Sequence, residues 1–176
     1  MERPEAQGGN WLDGLRSRWS RADERSRLLQ YVQPSLIGLI DGSISTLAPI
    51  FASAFIAGSR AALLVGLSAA FGAAISMGLS EALSDDGALT GRGHSVTRGG
   101  ITGVATFFGG TFHTLPFLIA DVRTALSIAY VVVAVELVLI AMIRRRFLKV
   151  PLNRSLIQVT LGGAVVALVG ILVGHA

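Results

Sequence analysis

The chain has 176 residues, 52% of them hydrophobic and 15% charged, and its mean hydropathy of +0.63 lies well outside the range of a soluble domain of this size. It contains no cysteine, which excludes a disulfide framework, a zinc–thiolate cluster and a thiol nucleophile. The formal charge of +4 does not argue for nucleic acid, because the basic residues cluster beside apolar stretches and read as topology signals and headgroup contacts.

Residues 1–32 form a basic segment in which Trp11, Leu12, Leu15, Trp19, Leu28 and Leu29 alternate with charges, a pattern that predicts an amphipathic helix on the membrane surface. Residues 33–176 are expected to form one transmembrane domain. A helix needs roughly 20 apolar residues to cross the hydrocarbon core, and five stretches qualify: Ser35–Ala57, Ala61–Leu83, Gly99–Ala120, Thr124–Ile143 and Leu156–Val173. The "ASA" at 52–54 imitates a signal-peptidase site. The long mixed-charge segment ahead of it and the aspartate inside the apolar run argue against cleavage.

Basic residues in short loops stay on the cytoplasmic side. Thirteen of the fifteen fall on one side of the five-span layout, and only Arg60 and Arg123 fall on the other. The N-terminus is therefore expected in the cytoplasm and the C-terminus outside, in a multi-pass protein of a bacterial inner membrane.

In the first span, "LIDGSISTLAP" places Asp41 among apolar residues. A carboxylate at mid-membrane costs about 2.5–3.5 kcal/mol on insertion scales and usually marks an ion pathway. Asp41, Ser45 and Pro49 share a face at four-residue spacing. Pro49 has no amide hydrogen, so the Ser45 carbonyl loses its helical partner and joins the carboxylate and hydroxyl as an oxygen ligand. Gly38 and Gly42 supply a small spacing that lets another helix come close.

The second span carries Met77 and Glu81, again four residues apart. Measured from the cytoplasmic ends, Asp41 is expected roughly 10 Å and Met77 roughly 9 Å into the membrane, with Glu81 one turn nearer the cytoplasm. A carboxylate with a polarizable thioether suits Fe²⁺ better than Mg²⁺ or Ca²⁺. His113 in the third span is read as a packing residue before a functional one, and Glu136 in the fourth as a buried acid or a proton carrier. These groups do not converge on one point, so no enzyme is expected. Glycine pairs at helical spacing and the small size of a five-span bundle lead us to expect a homodimer.

The segments "IGLIDGSISTLAPIFASAF", "FGAAISMGLSEALSDDG" and "GGITGVATFFGGTFHTLPFLI" resemble the vacuolar iron transporter family over about residues 33 to 154, most of all the transporter half of bacterial membrane-bound ferritins, which exports iron from the cytoplasm. The resemblance implies a five-helix homodimer with a pathway for Fe²⁺, also Mn²⁺, between subunits, driven by proton antiport and with no permanently bound cofactor. Asp41 and Met77 match the pathway residues, with Glu81 the acid below them, and Asp41 and Glu136 are the candidates for proton coupling. Where plant members carry a Glu-rich metal-binding domain, this chain offers only Asp85, Asp86 and His94. Where membrane ferritins carry a ferritin-like domain, it has the short basic segment. That departure leaves a second expectation open, a non-transporting anchor that recruits an iron-storage partner through residues 1–30.

Overall fold

The computed structural model describes residues 23–88 and 90–175, and among them all regular structure is helical. The predicted surface helix at Trp11–Trp19 lies outside the described residues. From residue 23 onward the basic segment is already helix and runs without interruption into the first long element. Just before α1 (Gln33–Ser45) the ladder widens into a π turn, Leu28–Val32, in which the Gln33 amide donates to the Leu28 carbonyl. Pro34 explains the position of this turn, since it cannot donate to the carbonyl four residues back.

At Thr46 the helix breaks and restarts as α2 (Leu47–Ser84). The cause is Pro49, which leaves the Ser45 carbonyl without its usual donor, and regular pairing resumes with Ile50 N–H to Thr46 O at 3.2 Å. Within α2, Gly58 adopts φ 80° and ψ −174°, a region essentially confined to glycine. There the chain turns back on itself. Gly66 packs against Ile50, where an added Cβ would meet Ile50 Cγ1 at 2.9 Å, and these two residues are equally distant from Gly58.

α3 (Ser95–Phe112) packs between α1 and the second arm of α2. It runs parallel to α1, with Gly38 against Thr102 and Ala105 and Gly42 against Thr106 and Gly110, and antiparallel to the α2 arm, with Gly99 against Gly78 and Gly103 against Ala74. A short 3₁₀ turn, Leu115–Leu118, leads to α4 (Val122–Leu148), which Asp121 caps by accepting from the Thr124 amide at 2.8 Å. α5 (Leu152–Gly174) returns along the first arm of α2, with Gly170 on Ala48 and Gly174 on Ala52. Leu47, Ile50, Phe51, Phe117, Ala125 and Ala129 form the main core. Leu137, Ile140 and Val159 form a second, smaller one.

Among the described residues three helices are long and apolar enough to cross a membrane: Asp23–Ser84, which contains the Gly58 turn, Val122–Leu148 and Leu152–Gly174. Their outward faces carry exposed leucines, valines and phenylalanines such as Leu64, Phe71, Leu79, Val131 and Leu168, the surface that lipid requires. Of the five expected spans, the third falls short of this measure. α3 stops at Phe112 rather than Ala120 because Pro116 cannot continue the ladder. Its 18 residues include Arg98, several threonines and five glycines, and it is not among the three helices apolar enough over a membrane-length window.

Candidate functional site

Asp41 projects from the middle of α1 and is half-buried beside the α1–α3 seam. Among the described residues its carboxylate forms no hydrogen bond. The seam is tight because Gly38 and Gly42 face it: a Cβ on Gly42 would overlap the Thr106 carbonyl oxygen, and one on Gly38 the Thr102 oxygen. The predicted close approach at these glycines is therefore present, and the helix they admit is α3. Ser45, on the same face, is exposed, and Pro49 is half-buried at the start of α2.

Met77 is half-buried on the second arm of α2. The packing register through α3 puts Asp41 level with about Phe107 and Met77 level with about Thr102, an offset of roughly 7 Å along the axis. The expectation of one shared depth fails because Pro34 is not the helix end; α1 continues back through the π turn to residue 23.

Glu81 lies further off, inside an ionic cluster. Arg98 is fully buried and donates from Nε to Glu81 Oε1 at 2.8 Å, from one terminal nitrogen to Gly93 O at 2.7 Å, and from the other to Asp85 O at 3.0 Å and Asp85 Oδ2 at 3.2 Å. Arg92 donates to Glu81 Oε1 at 2.7 Å and to Asp85 Oδ2 at 3.2 Å. Asp85 Oδ1 accepts from the Gly87 amide and the Thr90 hydroxyl. Burial works to raise the Asp85 carboxyl, but the bonds from Thr90 and Gly87 and the charges of Arg98 and Arg92 outweigh it and hold it below the usual aspartate value. Glu81 and Asp85 thus hold guanidinium groups and close the loop between α2 and α3. Asp86 accepts from the Ala88 amide at 2.9 Å, and His94 is exposed at the head of α3. Among the described residues no group of three or more His, Cys, Asp or Glu is placed to hold a metal ion.

At the opposite end, His113 and Glu136 meet. His113 follows α3 and is fully buried; its Nδ1 lies 3.0 Å from Glu136 Oε2 on α4, and its Nε2 lies 2.8 Å from Thr46 Oγ1 at the α1–α2 break. Thr46 Oγ1 in turn donates to the Gly42 carbonyl at 2.8 Å. The sequence placed His113 and Glu136 in separate spans and did not pair them. Arg98 and Arg92 entered the sequence reading only as topology counts, and Thr46 not at all; no short-range spacing links them to their partners.

An apolar groove of about 610 Å³ runs along the second arm of α2 and α3, floored by Ala74, Gly78, Gly99 and Gly103 and walled by Phe71 and Val104. Searched against family models, curated proteins and solved structures, the chain matches none.

Proposed function

We propose that this chain is a transporter related to the vacuolar iron transporters, which exports Fe²⁺, and also Mn²⁺, from the cytoplasm by proton antiport. The observation that carries this reading is Asp41: a half-buried carboxylate in the middle of an apolar helix, without a hydrogen-bond partner among the described residues, on a helix fixed by Gly38 and Gly42 against α3. An unpaired acid at that depth is costly, and exchange between a bound cation and a proton relieves the cost in both states. Met77, on the second arm of α2 and displaced along the axis, supplies a softer contact on the way from the cytoplasmic end.

The proposed topology has five passes, with the N-terminus inside, and rests on the thirteen-to-two division of basic residues. α3 is then shielded from lipid by its neighbours and by a second copy seated on the groove floored by small residues. Because one chain does not assemble three acidic or imidazole ligands among its described residues, the full cation site is completed across that dimer. In proteoliposomes enclosing a metal-sensitive dye, Asp41→Ala should abolish Fe²⁺ flux while the protein still reconstitutes; undiminished flux would overturn the assignment.

A further inference from the structure

Among the described residues Glu136 is the one buried acid that faces an imidazole, and the groups around the pair limit where its proton lies. The Thr46 oxygen lies 2.8 Å from both the Gly42 carbonyl and His113 Nε2; when its one hydroxyl hydrogen points at Gly42, the oxygen accepts from an Nε2–H. A neutral ring protonated at Nε2 has a bare Nδ1, which can only accept. The 3.0 Å contact from Nδ1 to Glu136 Oε2 then needs a donor, and the donor is a protonated carboxyl. The alternative is a carboxylate, facing either an imidazolium or, with the Thr46 hydrogen turned to Nε2, a neutral ring that donates Nδ1–H.

The second carboxyl oxygen decides between the two. Oε1 of Glu136 is buried and has no hydrogen-bond partner among the described residues, and its residue lines a groove whose walls include Phe112, Leu115, Pro116, Val132, Val135 and Leu139. An ionised carboxylate would leave half its charge on that oxygen among apolar side chains. A neutral acid leaves only a carbonyl oxygen there, which is far cheaper to desolvate. Among the described residues no other charged side chain hydrogen-bonds to Thr46, His113 or Glu136.

We infer that Glu136 is a resident proton carrier, held as the neutral acid by donating Oε2–H to His113 Nδ1, while Thr46 holds His113 in the Nε2–H tautomer. The site is separate from Asp41 and is anchored to the α1–α2 break, so the proton occupies a place where two helices join. Its part in coupling rests on the antiport reading above, but its protonation can be measured without transport.

With ¹³C-labelled glutamate and the purified chain at neutral pH, infrared spectra should contain a protonated-carboxyl C=O band that disappears in Glu136→Gln. Nitrogen NMR of ¹⁵N-histidine should give the buried ring as a neutral Nε2–H tautomer, distinguishable from the exposed His94 and His175 by slow solvent exchange. An imidazolium spectrum, or a glutamate signal that is wholly carboxylate, would overturn the proposal. The wild-type spectra decide this even if the variant does not fold. Loss of metal flux in Asp41→Ala with the Glu136 band intact would support the transport reading and the proton site independently; an intact band with undiminished flux would remove the transport reading alone.

Discussion

Arg98 is fully buried, and its Nε donates to Glu81 Oε1 at 2.8 Å. That relationship changes the role of Glu81. The acid that resembles a pathway residue in the sequence serves here as an anchor for two arginines. Removing Arg98 leaves the Gly93 and Asp85 carbonyls without this donor and the Glu81 and Asp85 carboxylates with Arg92 alone. Arg98→Ala should destabilise the protein by about 3–5 kcal/mol, read as a lower melting temperature in detergent. Arg98→Lys should recover only part of the loss, because an ammonium cannot serve three separated acceptors with one planar fork.

Glycines that look alike in the sequence should separate sharply on substitution. Gly42→Ala drives a methyl into the Thr106 carbonyl and should cost about 1–3 kcal/mol through overpacking. At Gly72, a helical position, an added Cβ meets nothing within 4 Å, and Gly72→Ala should be neutral or stabilise by up to about 1 kcal/mol. Thermal unfolding of the two variants side by side checks the α1–α3 register.

Met77→Leu keeps volume and should cost less than about 1.5 kcal/mol in stability. If the thioether contacts the cargo, the variant should lose preference for Fe²⁺ over Mg²⁺ in a competition flux assay. An unchanged preference returns Met77 to a packing role.

The Asp85 carboxyl is held below its ordinary value, so its contribution to stability is complete above the unfolded aspartate pKa of about 3.9 and disappears as pH falls through the lower folded value. Melting temperature should therefore be insensitive to Asp85 near neutrality and fall on strong acidification. Asp85→Asn should flatten that acid limb when the two pH profiles are compared.

Because the chain has no native cysteine, a single introduced thiol is unambiguous. Val104→Cys, on the groove wall, should give a covalent dimer with a short bis-maleimide in membranes, whereas Leu168→Cys on the exposed face of α5 should not. Failure of the first to cross-link would place lipid, not a second copy, over the groove.

The helical architecture was readable because apolar runs of membrane length carry their own signal, and the break before α2 was readable from Pro49, whose chemistry is local. The close approach at Gly38 and Gly42 was readable too, though not which helix would fill it. The depth match of Asp41 and Met77 was not, since it depended on helix ends that the π turn displaced. The partners of Glu81 and His113 were hidden for a different reason: Arg98 lies 17 residues from Glu81 and Glu136 lies 23 from His113, and only tertiary packing brings them together.

Gly58 joins two rigid rods through the rotatable bonds of a single residue. The rod from Ser59 to Ser84 is about 39 Å long, so each degree of rotation at the corner sweeps its far tip by about 0.7 Å. The Glu81–Arg98 cluster sits at that tip. The contacts of Gly78 with Gly99 and of Glu81 with Arg98 pin that end to α3, so the cluster resists rotation about the corner at the point where the lever arm is longest.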